Sequence, residues 1–365
     1  MMSEQETIRV GIIGADNKAS WAQHSHVPAL QALPGVQLAA LATRSEESAK
    51  EAAAAFGVPA WFSDPLEMIR SDAVDVITVA VRVPAHRDLV LAAIAAGKSV
   101  YCESPLGRST AEAEEMAEAA RAAGVHTAIG LQARWNPSLR RAAELVASGA
   151  IGKPLTTRVV STSAGFGPAM PATYDYFNKA VSGADLSTIT VAHTLDALET
   201  LVGDIEEVDA RASILFPTVR LIETDETSTR ETPDQVTVLG RTRDGCEFVA
   251  DVNGGIAPDD ARFELEVRGS EGWLKLSGGF PFGFQAADLE LTSSVAFDPP
   301  ASPAVGDGAA PSVINVGEVY GLLAADMRAG TRRTPGFDRA VCVSRLIDRV
   351  RCAAETGTRQ RIAAL

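Results

Sequence analysis

His193 and Asp196 stand three residues apart in a stretch, Ile189 to Val202, where a helix is expected, so both side chains fall on one face. An imidazole titrates near neutral pH and a carboxylate accepts hydrogen bonds, so the pair could grip a hydroxyl and exchange its proton. Further polar groups gather in two runs, Gln132, Arg134 and Asn136 in one and Tyr174, Asp175, Tyr176 and Asn178 in the other. A tyrosine such as Tyr176 serves as a general acid when a neighbouring cation lowers its pKa. The same aromatic and amide groups suit passive carbohydrate binding, and Tyr174-Asp175-Tyr176-Phe177 can equally be packing, as His193 can equally be a structural histidine.

The elements that must position these groups change character along the chain. From Ile8 to Gly130 short apolar runs alternate with Ala-rich helical stretches, the pattern of βαβ units around a parallel sheet covered on both faces. Strands are expected at Ile8 to Gly14, Val36 to Leu41, Ala60 to Phe62, Val74 to Val79, Ser99 to Tyr101 and His126 to Ile129. They make residues 1–130 a doubly wound α/β Rossmann domain. After Trp135-Asn136-Pro137 a helix runs to about Ser148. Beyond Leu155 the strands alternate, as in Gln235 to Leu239 and Phe263 to Val267, between turn signals such as Arg243-Asp244-Gly245. Residues 131–365 therefore read as an α+β domain with an open-faced, mainly antiparallel sheet. Asp298 to Pro311 reads as an arm or linker, and helices at Val316 to Ala329 and Arg339 to Glu355 close the chain, free to pack back on the first domain.

Composition narrows the function classes. A chain of 365 residues, 46% hydrophobic, is enough for two packed cores. With 47 acidic against 33 basic residues the net charge is −14, which removes the electrostatic footprint of a nucleic-acid binder. No run of about 18 apolar residues points to a membrane span, and the polar, acidic start Met1-Met2-Ser3-Glu4 is unlike a signal peptide. A cytoplasmic location is expected. The four cysteines have neither metal-like spacing nor a bridgeable pair, so free thiols and no metal are expected.

The first strand ends in Gly11-Ile12-Ile13-Gly14-Ala15-Asp16-Asn17-Lys18-Ala19-Ser20-Trp21, where a dinucleotide fold needs a tight turn and a helix start facing the pyrophosphate. Gly14 supplies the turn and Ala15 follows it. Asp16 replaces the usual second glycine, and its carboxylate would oppose a pyrophosphate unless it bonds backbone amides, with Lys18 as an offsetting charge. After the second strand, Arg44 and Ser45 stand where an acidic residue would receive the ribose hydroxyls, so a 2′-phosphate, and NADP rather than NAD, is favoured. The plainer alternative is a solvated arginine beside the Ser45 cap of the next helix. Val81, Arg82 and His86 follow the fourth strand at the ligand-binding edge of the sheet, and Trp21 and Gln132 lie on neighbouring segments. His86 can also be a satisfied histidine in a helix begun by Pro84.

Several runs together resemble the glucose-fructose oxidoreductase / inositol 2-dehydrogenase / MocA family over nearly the whole chain. They are Gly11 to Gly14, Ala96-Gly97-Lys98-Ser99-Val100-Tyr101-Cys102-Glu103-Ser104-Pro105-Leu106, Ser148 to Pro154, His193-Thr194-Leu195-Asp196 and Gly269 to Leu274. The resemblance implies a Rossmann domain, a C-terminal domain that carries substrate and often dimerises, and hydride exchange between NAD(P) and a sugar, polyol or related carbonyl compound. In the family a lysine within Glu-Lys-Pro usually moves the proton, backed by an aspartate and, four residues later, a histidine. Here those positions hold Ser104, between Glu103 and Pro105, then Ile189 and His193. His193 is left as the titrating group, with Ser104 to orient the reacting oxygen. The loop from Asp16 to Ala22, Arg82-Val83-Pro84-Ala85-His86 and Glu103-Ser104-Pro105 resemble a branch that includes the yeast galactose-regulon repressor, which binds a nicotinamide dinucleotide and signals through protein contacts.

The expected activity is thus an NADP-dependent oxidoreductase, NAD being possible, acting on a small sugar-like molecule held by Arg134, Asn136, Tyr174 and Asp196. A homodimer or homotetramer is expected. A cofactor-binding regulator with a protein partner is the rival, and redox-assisted lyase or isomerase chemistry the third alternative.

Overall fold

A computed structural model describes residues 7–18 and 20–363. The chain divides into two compact units, one made of the described residues up to Gln132 with Ser302–Val341, the other of Ala133–Ala301 with the described residues from Cys342 onward. The segment Ser302–Val341 thus belongs with the N-terminal part; the sequence reading divides the chain after residue 130 while leaving the terminal helices free to pack back on the first domain.

In the first unit six parallel strands, β1 (Ile8–Ile13), β2 (Val36–Ala42), β3 (Ala60–Phe62), β4 (Val76–Val79), β5 (Ser99–Glu103) and β6 (Thr127–Gly130), lie in the order β3-β2-β1-β4-β5-β6. This order reverses direction between β1 and β4, the switch point at which such sheets receive ligands. All four residues of β4 are buried, as expected of a strand covered on both faces. Its helices are α1 (Trp21–His24), α2 (His26–Ala32), α3 (Glu46–Phe56), α4 (Pro65–Arg70), α5 (His86–Ala95) and α6 (Thr110–Ala123). The alanines do the packing: Ala49, Ala52 and Ala53 form the buried side of α3. The helical stretch after β1 is broken, because α1 is a single turn and Ser25, at φ −134°, separates it from α2.

The second unit opens with α7 (Pro137–Ala147), then β7 (Pro154–Thr162), β8 (Ala169–Met170), α8 (Ala192–Val202), β9 (Ile205–Ser213), β10 (Thr218–Leu221) and β11 (Thr227–Thr229). It continues with β12 (Gln235–Thr242), β13 (Glu247–Asn253), β14 (Phe263–Gly269), β15 (Trp273–Gly278) and β16 (Leu289–Ser293). Helix α9 (Pro311–Ala329) lies in the first unit, α10 (Phe337–Thr356) contains the division after Val341, and β17 (Gln360–Arg361) follows. The large sheet has the order β16-β15-β14-β7-β13-β12-β9-β17, antiparallel except where β7 meets β13. Register aligns Leu276, Leu265, Val159, Ala250 and Val238 in one row across five strands, all buried. Each aliphatic side chain of that size stabilises by about 1.5–3 kcal/mol when fully buried. Alternate residues face the other way, and among them Leu239 is about half exposed, so one face of the sheet is open. A small sheet, β11-β10-β8, has its own core of Met170, Val219 and Leu221.

The stretch expected as one helix from Ile189 is two structures. Ser187–Val191 forms a π-helical turn, and only then does α8 begin. Asp185 caps that turn, its Oδ1 accepting from the amides of Ser187 and Thr188 at 2.7 and 3.1 Å, and Arg351 donates to its Oδ2 at 2.7 Å. Such wide turns recur at functional sites, and this one carries Ile189, four residues before His193. All four cysteines are free, and no helix among the described residues is long and apolar enough to cross a membrane.

Candidate functional site

The first unit presents a turn that only glycine can make. Gly14 has φ +99°, and a Cβ there would lie 2.5 Å from the Ala80 carbonyl oxygen. The turn is stitched to both neighbouring strand ends, since Gly14 donates to Ala42 and Ala80 donates to Ile13, each at 3.0 Å. Ala15 is fully buried beside it. Asp16 does not leave its carboxylate bare: Oδ1 accepts from the Lys18 amide at 3.0 Å, while its carbonyl accepts from the Ser20 hydroxyl at 2.8 Å. The Lys18 side chain is exposed. Beyond the turn, Asn17 Oδ1, Trp21 Nε1 and Gln23 Oε1 are buried yet lack a hydrogen-bond partner among the described residues. Gln132 Oε1, on a residue only 2% exposed, is in the same condition. Leaving such atoms unpaired costs about 1–3 kcal/mol each, so this region suits a ligand rich in polar groups.

At the end of β2 the Arg44 side chain is exposed, and the Ser45 hydroxyl caps α3 by accepting from the Ser48 amide at 3.2 Å. After β4, Val81 is half-buried and Arg82 exposed. His86 is buried at the start of α5, with Val81 O 3.0 Å from Nε2, Pro105 O 3.1 Å from Nδ1 and Cys102 Sγ at 3.4 Å. It lies between the segments after β4 and β5, in keeping with the alternative reading of a histidine packed at the start of a helix. Burial pushes its pKa down, against the pull of the two carbonyls and of Glu103. Glu103 turns inward, its Oε1 3.0 Å from His26 Nε2. Ser104 is half-buried, Pro105 is buried, and the peptide between them is cis.

The second unit carries the other candidates. Arg134 reaches Asp196 Oδ2 at 3.3 Å and donates to Thr200 Oγ1 at 2.9 Å, while Thr200 donates to the Asp196 carbonyl at 2.7 Å. The ion pair is largely buried and fastens the turn at Gln132–Trp135 to α8. Asn136, placed among substrate ligands by sequence, is buried and caps α7: its Oδ1 accepts from Ser138 and Leu139, and its Nδ2 donates to Ala287 at 3.4 Å. His193 is 3% exposed and meets the Phe284 ring edge-on at 6.5 Å, Phe284 itself stacking on Phe263. Tyr174 is exposed and stacks on Phe177, and Tyr176 lies 4.3 Å from the same ring, so this run does pack as an aromatic group.

The comparisons with known proteins agree with both architectures. Residues 8–131 match a family described as "Oxidoreductase family, NAD-binding Rossmann fold", and residues 137–278 match "Gal80p, C-terminal domain". Dehydrogenase aclE of Aspergillus oryzae is 30% identical over 282 residues, covering 74% of this chain and 77% of that protein. The chain belongs to this oxidoreductase family. The galactose/lactose metabolism regulatory protein GAL80 of Saccharomyces cerevisiae is 28% identical over 296 residues, 75% of this chain and 68% of its own. The solved super-repressor mutant of Gal80p shares the fold at TM-score 0.86 and 23% identity, covering 97% of this chain and 98% of that one. Levoglucosan dehydrogenase, solved with NADH and L-sorbose, shares it at TM-score 0.82 and 20% identity, covering 99% and 100%.

Within the family frame, Ser104 directly follows β5 and Ile189 lies inside the π-helical turn, both half-buried. Sequence reasoning missed His26 and Tyr320, which back Glu103, and Asp185 with Arg351, which set the start of α8. It also missed Arg230, fully buried and paired with Asp234 at 3.0 Å, whose Nε donates to Asn178 Oδ1 at 3.0 Å. The only sequence signal for Arg230 and Asp234 was their spacing of four, too common to single out.

Proposed function

We propose that this protein is an NADP(H)-dependent oxidoreductase acting on a sugar-like or related hydroxyl or carbonyl compound. The observation that carries the reading is the set of buried, unpaired polar atoms on Asn17, Trp21, Gln23 and Gln132, together with the glycine-only turn at the sheet's switch point. Gly14, Ala15, Asp16, Lys18 and Trp21 would hold the dinucleotide backbone, with Val81, Arg82, Glu103, Ser104, Pro105 and Gln132 toward the nicotinamide end. Arg44 and the Ser45 hydroxyl hydrogen suit a 2′-phosphate, since a guanidinium pairs bidentately with phosphate oxygens. When bound, the nicotinamide supplies the hydride donor or acceptor. His193 exchanges the proton of the substrate oxygen, Ser104 donates or accepts a hydrogen bond, and Tyr176 is a second acid. Asp196 and Arg134, already paired, act on substrate through the shape and charge of α8, and Tyr174 offers an exposed ring for a sugar face. The open sheet face, with Leu239 exposed, supports self-association as a homodimer or homotetramer, which the mass in solution will check.

The relatives favour this class, because those named above include dehydrogenases, one of them solved with NADH and a sugar. The likeness to Gal80p and the serine at position 104 favour a second reading, a dinucleotide-binding regulator that acts through a protein partner. Fluorescence titration with NADPH and NADH, followed by turnover assays on sugars, polyols and ketoses, separates the two. The enzyme reading expects tighter binding of NADPH, loss of that preference in Arg44→Ala, and redox turnover with at least one substrate. Binding without turnover across the panel supports the regulator, and no binding of either dinucleotide sinks both.

A further inference from the structure

Glu103, His26, Tyr320 and Thr78 form one continuous hydrogen-bonded chain inside the first unit. Glu103 Oε1 lies 3.0 Å from His26 Nε2, His26 Nδ1 lies 2.8 Å from the Tyr320 hydroxyl, and that hydroxyl lies 2.7 Å from Thr78 Oγ1. His26 and Thr78 are fully buried and Tyr320 is 1% exposed. The Tyr101 ring closes the cluster, 5.1 Å from His26 and 4.9 Å from Tyr320 between centroids. A carboxylate only accepts, so Nε2 donates to Glu103; the tautomer with hydrogen on Nε2 alone leaves Nδ1 to accept from Tyr320 and Tyr320 to accept from Thr78. The four hydrogen-bonded groups then each have a partner, the condition under which a buried network makes its groups rigid.

The surroundings are shaped for this carboxylate. Gly130, paired with Glu103 across β5 and β6, could not carry a side chain, since a Cβ there would lie 2.8 Å from Glu103 Oε1 and 2.9 Å from its Cα. Glu103 is the residue before Ser104, so whatever fixes its side chain fixes the start of the Glu103-Ser104-Pro105 segment. Tyr320 comes from α9, which gives the C-terminal segment of the first unit a direct hold on that segment.

We infer that His26 is a positioning residue: backed by Tyr320 and Thr78, it holds Glu103 and thereby sets the Glu103-Ser104-Pro105 segment for the nicotinamide half of the dinucleotide. The inference rests on the dinucleotide reading above. His26→Phe fills the aromatic cluster but loses both hydrogen bonds, whereas His26→Gln retains an amide donor for Glu103. NADPH and 2′-phospho-ADP-ribose, which lacks the nicotinamide, are titrated against each variant, with the thermal midpoint recorded alongside.

The expected result is a weakening of NADPH binding in His26→Phe of about tenfold or more, the equivalent of one to two lost hydrogen bonds. Binding of 2′-phospho-ADP-ribose stays at the wild-type value, and His26→Gln restores NADPH binding to within about threefold. A merely structural role would lower the thermal midpoint and move both ligands equally or neither, and that outcome overturns the inference. If His26→Phe does not fold, Tyr320→Phe, which removes one hydroxyl, takes the same pair of titrations and must show the same selective loss. A wild-type protein that binds neither ligand overturns the dinucleotide reading and this one with it. Wild-type binding with unselective variants overturns this one alone.

Discussion

The switch-point edge of the first unit and the polar cluster on α8 of the second differ in how much hydrogen-bonding capacity is left over. In the first unit, side-chain atoms of Asn17, Trp21, Gln23 and Gln132 are buried without a hydrogen-bond partner among the described residues. Around Asp196, the carboxylate has Arg134, Arg134 has Thr200, and Asn136 is spent on the cap of α7. The first arrangement leaves polar atoms without partners, and the second largely uses its polar groups to hold itself together. Polar residue types gathered at one place are therefore a weak signal of binding until their partners are counted. The sharpest way to break the contrast is Gly14→Val. Its Cβ would overlap the Ala80 carbonyl at a φ that L side chains rarely adopt, costing roughly 2–6 kcal/mol in strain and overpacking. NADPH affinity is expected to fall by about a hundredfold or more, the equivalent of roughly 3 kcal/mol. Retained affinity in a folded Gly14→Val protein would show that the turn does not hold the cofactor.

On the second side of the comparison, Asp196→Ala leaves the Arg134 guanidinium largely buried beside an empty position. Breaking a buried pair from one side typically costs about 3–5 kcal/mol, whereas replacing both partners by apolar groups is often nearly neutral. Denaturant unfolding should therefore show a large loss for Asp196→Ala and recovery of most of it in the double variant Arg134→Met, Asp196→Leu. Were Asp196 instead a direct grip on substrate, the loss would appear as a raised KM with stability unmoved. That result would make the two regions alike.

The fold was legible because its signals are periodic. Six apolar runs separated by Ala-rich stretches can hardly be anything but a parallel sheet, and alternation in Gln235 to Leu239 and Phe263 to Val267 marks strands with one buried face. The glycine at position 14 was readable for a similar reason, as a residue that geometry demands. What escaped depends on long-range pairing. Nothing local to His26 announces that its ring will lie between Glu103 and Tyr320, residues 77 and 294 positions away. Nor does the composition of Ser187–Val191 reveal a π turn, or that Asp185 will cap its start while bonding Arg351, 166 positions away. Asn136 shows the converse case: it stands directly before Pro137, an N-cap signature, and its polarity drew a substrate role that its cap contacts already use.

The smallest effect expected is a pH dependence confined to the first region. Burial pushes the His86 pKa down, and the carbonyls of Val81 and Pro105 with the charge of Glu103 only partly offset this. The folded ring thus binds a proton less readily than the unfolded one, and where the unfolded state holds more protons, stability rises with pH. The contribution of His86 is present in full above the ordinary imidazole range and is lost as the pH falls through it toward the lower folded value. Thermal unfolding between about pH 7.5 and 5 should show the wild-type midpoint falling, and His86→Gln, which cannot take the proton, falling less. Equal pH slopes in both proteins would place the titrating group elsewhere and leave the edge of the first sheet insensitive to protons.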